Sequence, residues 1–143
     1  MTAEPRQLTR AEQVLRVAAA VLAVESLGFA VAYLVKGIAG PAEFPFVTNS
    51  VAKDVLLAAL GYLIVRDVRR WSVVAVPLIV LAHLVMPAVM GLTALLGGPE
   101  GMSHTWNRPP GSAAALRVTW SLADIAVAAL FAWLYRRAER SRA

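Results

Sequence analysis

The stretch of sequence that decides the fold is residues 71–96, WSVVAVPLIVLAHLVMPAVMGLTALL, in which His83 is the only ionisable side chain. An α-helix rises 1.5 Å per residue, so about 20 apolar residues cross the roughly 30 Å hydrocarbon core of a bilayer. This stretch is longer than that minimum. It is therefore predicted to be a helix that spans a membrane.

Three further apolar stretches have helical character, and two of them are clearly long enough to span. The remaining stretch, residues 47–65, reaches spanning length only when Lys53 and Asp54 are counted within it. A re-entrant or interfacial segment is therefore the alternative interpretation of this stretch. The connections are short and rich in Gly and Pro, which favours antiparallel neighbours in one bundle. The sequence thus predicts a single all-α domain over residues 1–143, a polytopic membrane protein built as a four-transmembrane-helix bundle. The predicted spans are about residues 14–38, 47–65, 71–96 and 112–135.

The composition agrees with a membrane location. Of the 143 residues, 59% are hydrophobic and 16% are charged, against about 45–50% and 25% in soluble domains. An ordinary soluble enzyme is therefore disfavoured. The chain has no cysteine, which excludes disulfides, thiolate metal sites and cysteine nucleophiles.

The basic residues are distributed unevenly between the predicted connections. With four spans, ten arginines fall on the side that holds both termini, and the positive-inside rule places that side in the cytoplasm of a cell-membrane protein. The same distribution accounts for the net charge of +5, so the predicted partner is the lipid bilayer and no nucleic-acid binding is predicted. These arginines are Arg6, Arg10, Arg16, Arg66, Arg69, Arg70, Arg136, Arg137, Arg140 and Arg142.

Ionisable residues near the middle of the spans are the main functional candidates. Glu25, His83 and Asp124 lie near the midpoints of three different spans, so we expect them at one depth, where they could satisfy one another. Asp54 and Arg117 lie nearer the outer side, and their pairing would leave a polar pocket that opens outward. A purely structural hydrogen-bond cluster is the alternative interpretation.

The outer loop, residues 97–111, provides two further candidates, His104 and Trp106. Such residues could form a lid over an outward pocket, although a loop that lies among lipid headgroups has the same composition. Glu100 and His104 are too few for a zinc site, so no metal is predicted. The chain also lacks the GxSxG, Walker, HExxH and GxGxxG motifs of common soluble enzymes.

One resemblance concerns the passage from the first loop into the second helix. FPFVTNS at residues 44–50 followed by KDVLLAALG at residues 53–61 resembles the corresponding passage of DoxX-like small membrane proteins, which are four-helix proteins of about this length. The resemblance implies a membrane subunit that binds a small lipophilic molecule, with a quinone as candidate cofactor, or that anchors an oxidoreductase partner. It assigns no catalytic residues.

A second resemblance gives an alternative function. Residues 25–28, ESLG, are similar to the Glu-x-x-Gly of small multidrug-resistance transporters, which implies a proton-coupled, homodimeric transporter that uses Glu25. The chain departs from that family in carrying His83, Asp124 and a long outer loop. A third reading is an intramembrane enzyme with Glu25 or Asp124 as general acid and His83 as general base.

Overall fold

The described part of the chain forms four α-helices, as the apolar stretches of the sequence predict. A computed structural model describes residues 7–39, 44–97 and 110–142, with side chains described for residues 7–35, 51–85, 88 and 118–142. Within this part every regular element is helical. The helices are α1 (Arg10–Ala39), α2 (Phe44–Arg66), α3 (Val68–Gly97) and α4 (Pro110–Arg140).

Local sequence signals determine where these helices begin. At α1 the hydroxyl of Thr9 accepts a hydrogen bond from the Glu12 backbone N–H, and the Glu12 carboxylate accepts one from the Thr9 N–H, which is a capping box. Asp67 is the single residue between α2 and α3, and its carboxylate accepts hydrogen bonds from the backbone N–H groups of Arg69 and Arg70. Pro110 occupies the first position of α4, where no N–H is needed.

The helices pack in a ring, in which each contacts the next along the chain and α4 contacts α1. The most extensive interface joins α1 and α2. It is close because Gly61 lies against the backbone of Ala19 and the side chain of Ala23. Small residues let helix backbones approach in this way.

Both ends of the described chain meet at one end of the bundle, which we call the terminal end. The Thr9 and Ser141 hydroxyls are 2.9 Å apart, and Arg69 of the α2–α3 turn binds Glu12 of α1. The tightly packed core lies in this half of the molecule and includes Leu15, Leu22, Leu57, Ile64, Val76, Ile79, Phe131 and Leu134.

Three stretches are long and apolar enough to cross a membrane: Arg10–Val35, Val68–Val85 and Val118–Arg140. Most of their surface is exposed on the bundle and apolar, as expected of helices that face lipid. The part of the sequence prediction that concerns an all-helical membrane protein is therefore confirmed. A fourth span at α2 and the side on which the termini lie stay predictions.

Candidate functional site

A polar layer lies directly above the apolar core, on the side away from the terminal end. We use this name for Glu25, Lys53, Asp54, His83 and Asp124. Each helix contributes to it one helical turn beyond a buried apolar residue: Glu25 follows Leu22, Asp54 precedes Leu57, His83 follows Ile79, and Asp124 precedes Ala128. Because successive helices run in opposite directions, these four turns meet at the same level.

An ion pair crosses this layer from α2 to α4. Lys53 Nζ lies 3.8 Å from Asp124 Oδ1, and the two side chains are 30% and 22% exposed. The pair joins two helices, α2 and α4, that are diagonal in the ring. The sequence had instead predicted that Asp124 would satisfy Glu25 and His83, and the described hydrogen bonds do not include such contacts.

His83 is the most deeply buried member of the layer, with 5% of its surface exposed. Its Nδ1 lies 2.8 Å from the backbone carbonyl oxygen of Ile79, so the Nδ1–H donates a hydrogen bond to that oxygen. No hydrogen bond to Nε2 occurs among the described residues. The helix that carries His83 therefore orients the ring through Nδ1.

Asp54 lies within electrostatic range of all the other charged or titratable members of the layer, namely Lys53, Asp124, His83 and Glu25. Tyr33 of α1 is close enough to interact with Asp54 as well. Three of the four helices thus bring acidic groups together around a single lysine. The layer can bind a ligand that offers both hydrogen-bond acceptors and donors.

Glu25 differs from the other members because its side chain is exposed on the outside of α1. It lines a shallow apolar depression of about 390 Å³ together with Ala20, Val21 and Val24.

Further from the terminal end, Phe29 of α1 meets Trp120 of α4 edge to face, with ring centroids 6.1 Å apart. This aromatic pair lies about one turn beyond Glu25 and Asp124, so the layer has apolar boundaries on both sides.

Two sets of predicted site residues fall outside the description. The backbone of Arg117 belongs to α4, but its side chain lies outside the described residues, and so does the predicted pairing of Asp54 with Arg117. His104 and Trp106 also lie outside the described residues. Within the described part of the chain, no group of three or more His, Asp or Glu side chains could hold a metal ion.

A second polar cluster, at the terminal end, was not anticipated from the sequence. Glu12 is fully buried and accepts four hydrogen bonds through its two carboxylate oxygens. Arg69 donates two, from Nε at 2.8 Å and Nη2 at 3.0 Å; Arg142 donates one from Nε at 2.9 Å, and the Thr9 backbone N–H donates one at 2.8 Å. Arg142 also pairs with Glu139. The cluster ties the start of α1 to the α2–α3 turn and to the end of α4.

The electrostatics of Glu12 follow from these contacts. Glu12 precedes the predicted span of residues 14–38 and lies in the first turn of α1, at the arginine-rich terminal end. The hydrogen bonds from the Arg69 guanidinium, the Thr9 backbone and Arg142 together lower the pKa of Glu12 to about 2, against the opposing effect of burial. Glu12 is therefore ionised at neutral pH.

The sequence did contain one signal for this cluster. Thr9-x-x-Glu12 before an apolar run has the spacing of a capping box, which places a carboxylate at the start of α1. The two arginines that it binds are 57 and 130 residues away along the chain. No local pattern could select them from the ten on that side.

Comparison with known proteins adds no relative: no family model, no curated protein and no solved structure matches this chain. The resemblances to DoxX-like proteins and to small multidrug-resistance transporters stay predictions from short sequence stretches.

Proposed function

We propose that this protein is a four-span membrane component that binds a small lipophilic molecule with a polar head group, such as a quinone, in the polar layer. The observation that carries the proposal is the Lys53–Asp124 ion pair, which lies above an apolar core beside the buried His83. Ionisable groups at such depth are costly in a bilayer, by roughly 2.5–3.5 kcal/mol each at the centre of a helix, and usually mark function.

Access to the layer supports a ligand that arrives from the lipid. Lys53 and Asp124 are about a quarter exposed, and each has an exposed apolar side chain one helical turn away on its own helix, Leu56 on α2 and Trp120 on α4. A molecule with a lipophilic body can lie on that surface while its head group reaches the ion pair. Tight packing of the core in the other half limits the depth that it can reach.

The chemistry of the layer suits a quinone. A quinone carbonyl oxygen accepts hydrogen bonds, which the Lys53 ammonium group donates. The hydroxyl of the reduced form donates one, which Nε2 of His83 or a carboxylate oxygen of Asp54 can accept. The layer therefore has groups that complement both redox forms, in keeping with the DoxX-like resemblance and with an oxidoreductase as partner.

The proposed topology places four spans in the cell membrane with both termini in the cytoplasm. Helix α2 has 23 residues, enough for about 34 Å at 1.5 Å per residue, and packs along both α1 and α3. The excess of arginines at the terminal end supports a cytoplasmic position for that end. Since the chain has no cysteine, Ser141→Cys should react with an impermeant maleimide only in opened cells, and Ser103→Cys in intact cells.

The binding test uses purified protein in nanodiscs and a short-chain ubiquinone as the probe. In Lys53→Met/Asp124→Leu both partners of the ion pair become apolar, a replacement that is often neutral for stability. We expect the double variant to melt like the wild type and to bind the probe at least about tenfold more weakly, since the hydrogen bond from the charged Lys53 ammonium group is lost.

The matched control is Tyr62→Phe, on the exposed face of α2 eight residues after Asp54. It should bind the probe like the wild type. Equal binding of the probe by the wild type and the double variant would show that the polar layer is not the binding site. If the wild type showed no saturable binding of the probe, the proposal of a quinone as ligand would be wrong.

Proton-coupled transport is the second candidate, because Glu25 lies exposed beside an apolar depression on α1. A carboxyl in that position can be reached by a cation without opening the bundle, and a second copy of the chain would be needed to cover it. In liposomes loaded with a pH-sensitive dye, adding a lipophilic cation should change the internal pH, and Glu25→Gln should abolish the change. Absence of flux for a panel of such cations would count against transport.

A further inference from the structure

A small cleft at the terminal end lies between the start of α1 and the α2–α3 turn. Its volume is about 120 Å³, well above the roughly 10–15 Å³ that one water molecule needs. We call it the Arg16–Arg66 cleft. Its walls are formed by Leu8, Arg16, Val65, Arg66, Asp67 and Val68.

The two arginines of the cleft are the basic groups left available there. Both side chains are exposed, and neither has a hydrogen bond or an ion pair among the described residues. The neighbouring Arg69 and the distant Arg142 are instead bound to Glu12. Two guanidinium groups with unused donors therefore converge on one cavity.

Asp67 also lines the cleft, and its charge has to be taken into account. One of its carboxylate oxygens accepts the backbone N–H groups of Arg69 and Arg70 as the cap of α3. That oxygen is turned towards the helix start, and its charge is stabilised there. The two cleft arginines outnumber this one carboxylate, so the cleft has a net positive charge.

The depth of the cleft corresponds to the headgroup region of a bilayer. At the same end, the guanidinium carbon of Arg70 lies 5.2 Å from the centre of the Trp71 ring, and that of Arg137 lies 5.2 Å from the centre of the Trp133 ring. Tryptophan with a neighbouring arginine is typical of the membrane–water interface. The cleft thus combines cations at headgroup level with apolar walls from Leu8, Val65 and Val68.

We propose that the Arg16–Arg66 cleft binds the phosphate group of an anionic phospholipid. Guanidinium groups bind phosphate oxygens in a forked geometry, and the apolar walls would contact the glycerol and the first methylene groups of the lipid. The site is distinct from the polar layer, which lies beyond the core.

The test measures lipid affinity by thermal stabilisation in detergent, with phosphatidylglycerol as the probe and phosphatidylcholine as the zwitterionic comparison. An arginine near an anionic lipid contributes about fivefold in affinity. We expect Arg16→Gln and Arg66→Gln each to weaken phosphatidylglycerol binding about fivefold, and the double variant about 25-fold, without changing the melting temperature measured in the absence of added lipid.

The matched control is Arg136→Gln/Arg140→Gln, which removes the same charge from exposed positions of α4 at the same end. It should keep wild-type affinity to within about twofold, because these side chains do not line the cleft. Equal weakening by both double variants would show general attraction to the arginine-rich end and would overturn the proposal. Equal affinity for both lipids would do the same.

A further measurement with inorganic phosphate distinguishes a site for a phospholipid headgroup from a site for free phosphate. Millimolar phosphate alone should not stabilise the protein, because the apolar walls contribute only when an acyl chain is attached. Stabilisation by free phosphate equal to that by phosphatidylglycerol, lost in Arg16→Gln/Arg66→Gln, would identify an anion site and refute the lipid site.

Discussion

The closest approach of two helices gives the sharpest prediction. A Cβ atom added at Gly61 of α2 would lie 2.6 Å from the backbone oxygen of Ala19 and 3.0 Å from the Cβ of Ala23, whereas ordinary contact begins at 3.4 Å. In Gly61→Ala the helices must therefore separate locally by about 0.8 Å, the difference between 3.4 and 2.6 Å. A helix backbone cannot yield as a flexible side chain does, so the cost lies near the upper end of the roughly 1–3 kcal/mol typical of overpacking.

The intrinsic preference of alanine for helix offsets part of that cost, by about 1 kcal/mol. We therefore expect a net loss of about 2 kcal/mol in the free energy of unfolding, measured by reversible SDS-induced unfolding followed by circular dichroism. Gly28→Ala is the matched control, because nothing lies within 4 Å of a Cβ at Gly28. It should be neutral or slightly stabilising.

The same substitution should affect the polar layer. Gly61 lies seven residues, two helical turns, after Asp54 on the same face of α2, so a displaced α2 shifts Asp54 and Lys53 relative to Asp124 of α4. Binding of the quinone probe should weaken in Gly61→Ala and not in Gly28→Ala. If the two alanine variants have the same stability and binding as the wild type, the close packing of α1 on α2 inferred here is wrong.

Three further predictions concern the two polar clusters. Glu12→Gln should lower the free energy of unfolding by about 3 kcal/mol, because two arginines and a backbone N–H lose a buried carboxylate. Glu139→Gln, at a half-exposed position, should lower it by less than about 1 kcal/mol; SDS unfolding of both variants checks this. The pKa of Glu12 is lowered to about 2 from an ordinary value of 4.5, so the unfolded chain binds the proton more readily. The contribution of the ionised Glu12 to the free energy of unfolding is therefore complete above about pH 4.5 and is lost as the pH falls towards 2. Acid unfolding of the wild type and of Glu12→Gln measures this contribution. Identical acid-unfolding profiles would contradict the prediction. In the polar layer, Lys53→Met alone should destabilise more than Lys53→Met/Asp124→Leu, because the single variant leaves a carboxylate unpaired; additive losses in the double-mutant cycle would argue against the pairing.

Much of the fold could be predicted from local sequence. Residues 14–38, 71–96 and 112–135 were predicted as helices, and each lies within α1, α3 or α4. A long apolar stretch predicts a helix, because every backbone polar group in the hydrocarbon of a membrane must form its hydrogen bond within the helix. The predicted stretch 47–65 likewise lies within α2, although its crossing of the membrane stays a prediction.

The partners of the polar side chains could be predicted only in part. The level shared by His83 and Asp124 follows from their positions midway along their spans. The contact of Asp124 with Lys53 and the bond of His83 to its own helix do not follow, because they depend on how each helix is rotated about its axis. The exposed position of Glu25 also depends on how α1 is rotated about its axis, because each step of one residue along a helix turns the side-chain direction by about 100°.

The sequence by itself determined that the chain is helical, that its apolar stretches are long enough for a membrane, and that its arginines gather at one end. Those properties depend on hydrophobic length and charge count, which accumulate over many residues and do not depend on neighbours in space. Only the tertiary structure decided that Glu12 binds Arg69 and Arg142, that Gly61 lies against Ala19, and that Lys53 faces Asp124. Each of these depends on the order and rotation of helices in the bundle, which packing between distant parts of the chain fixes and no local pattern encodes.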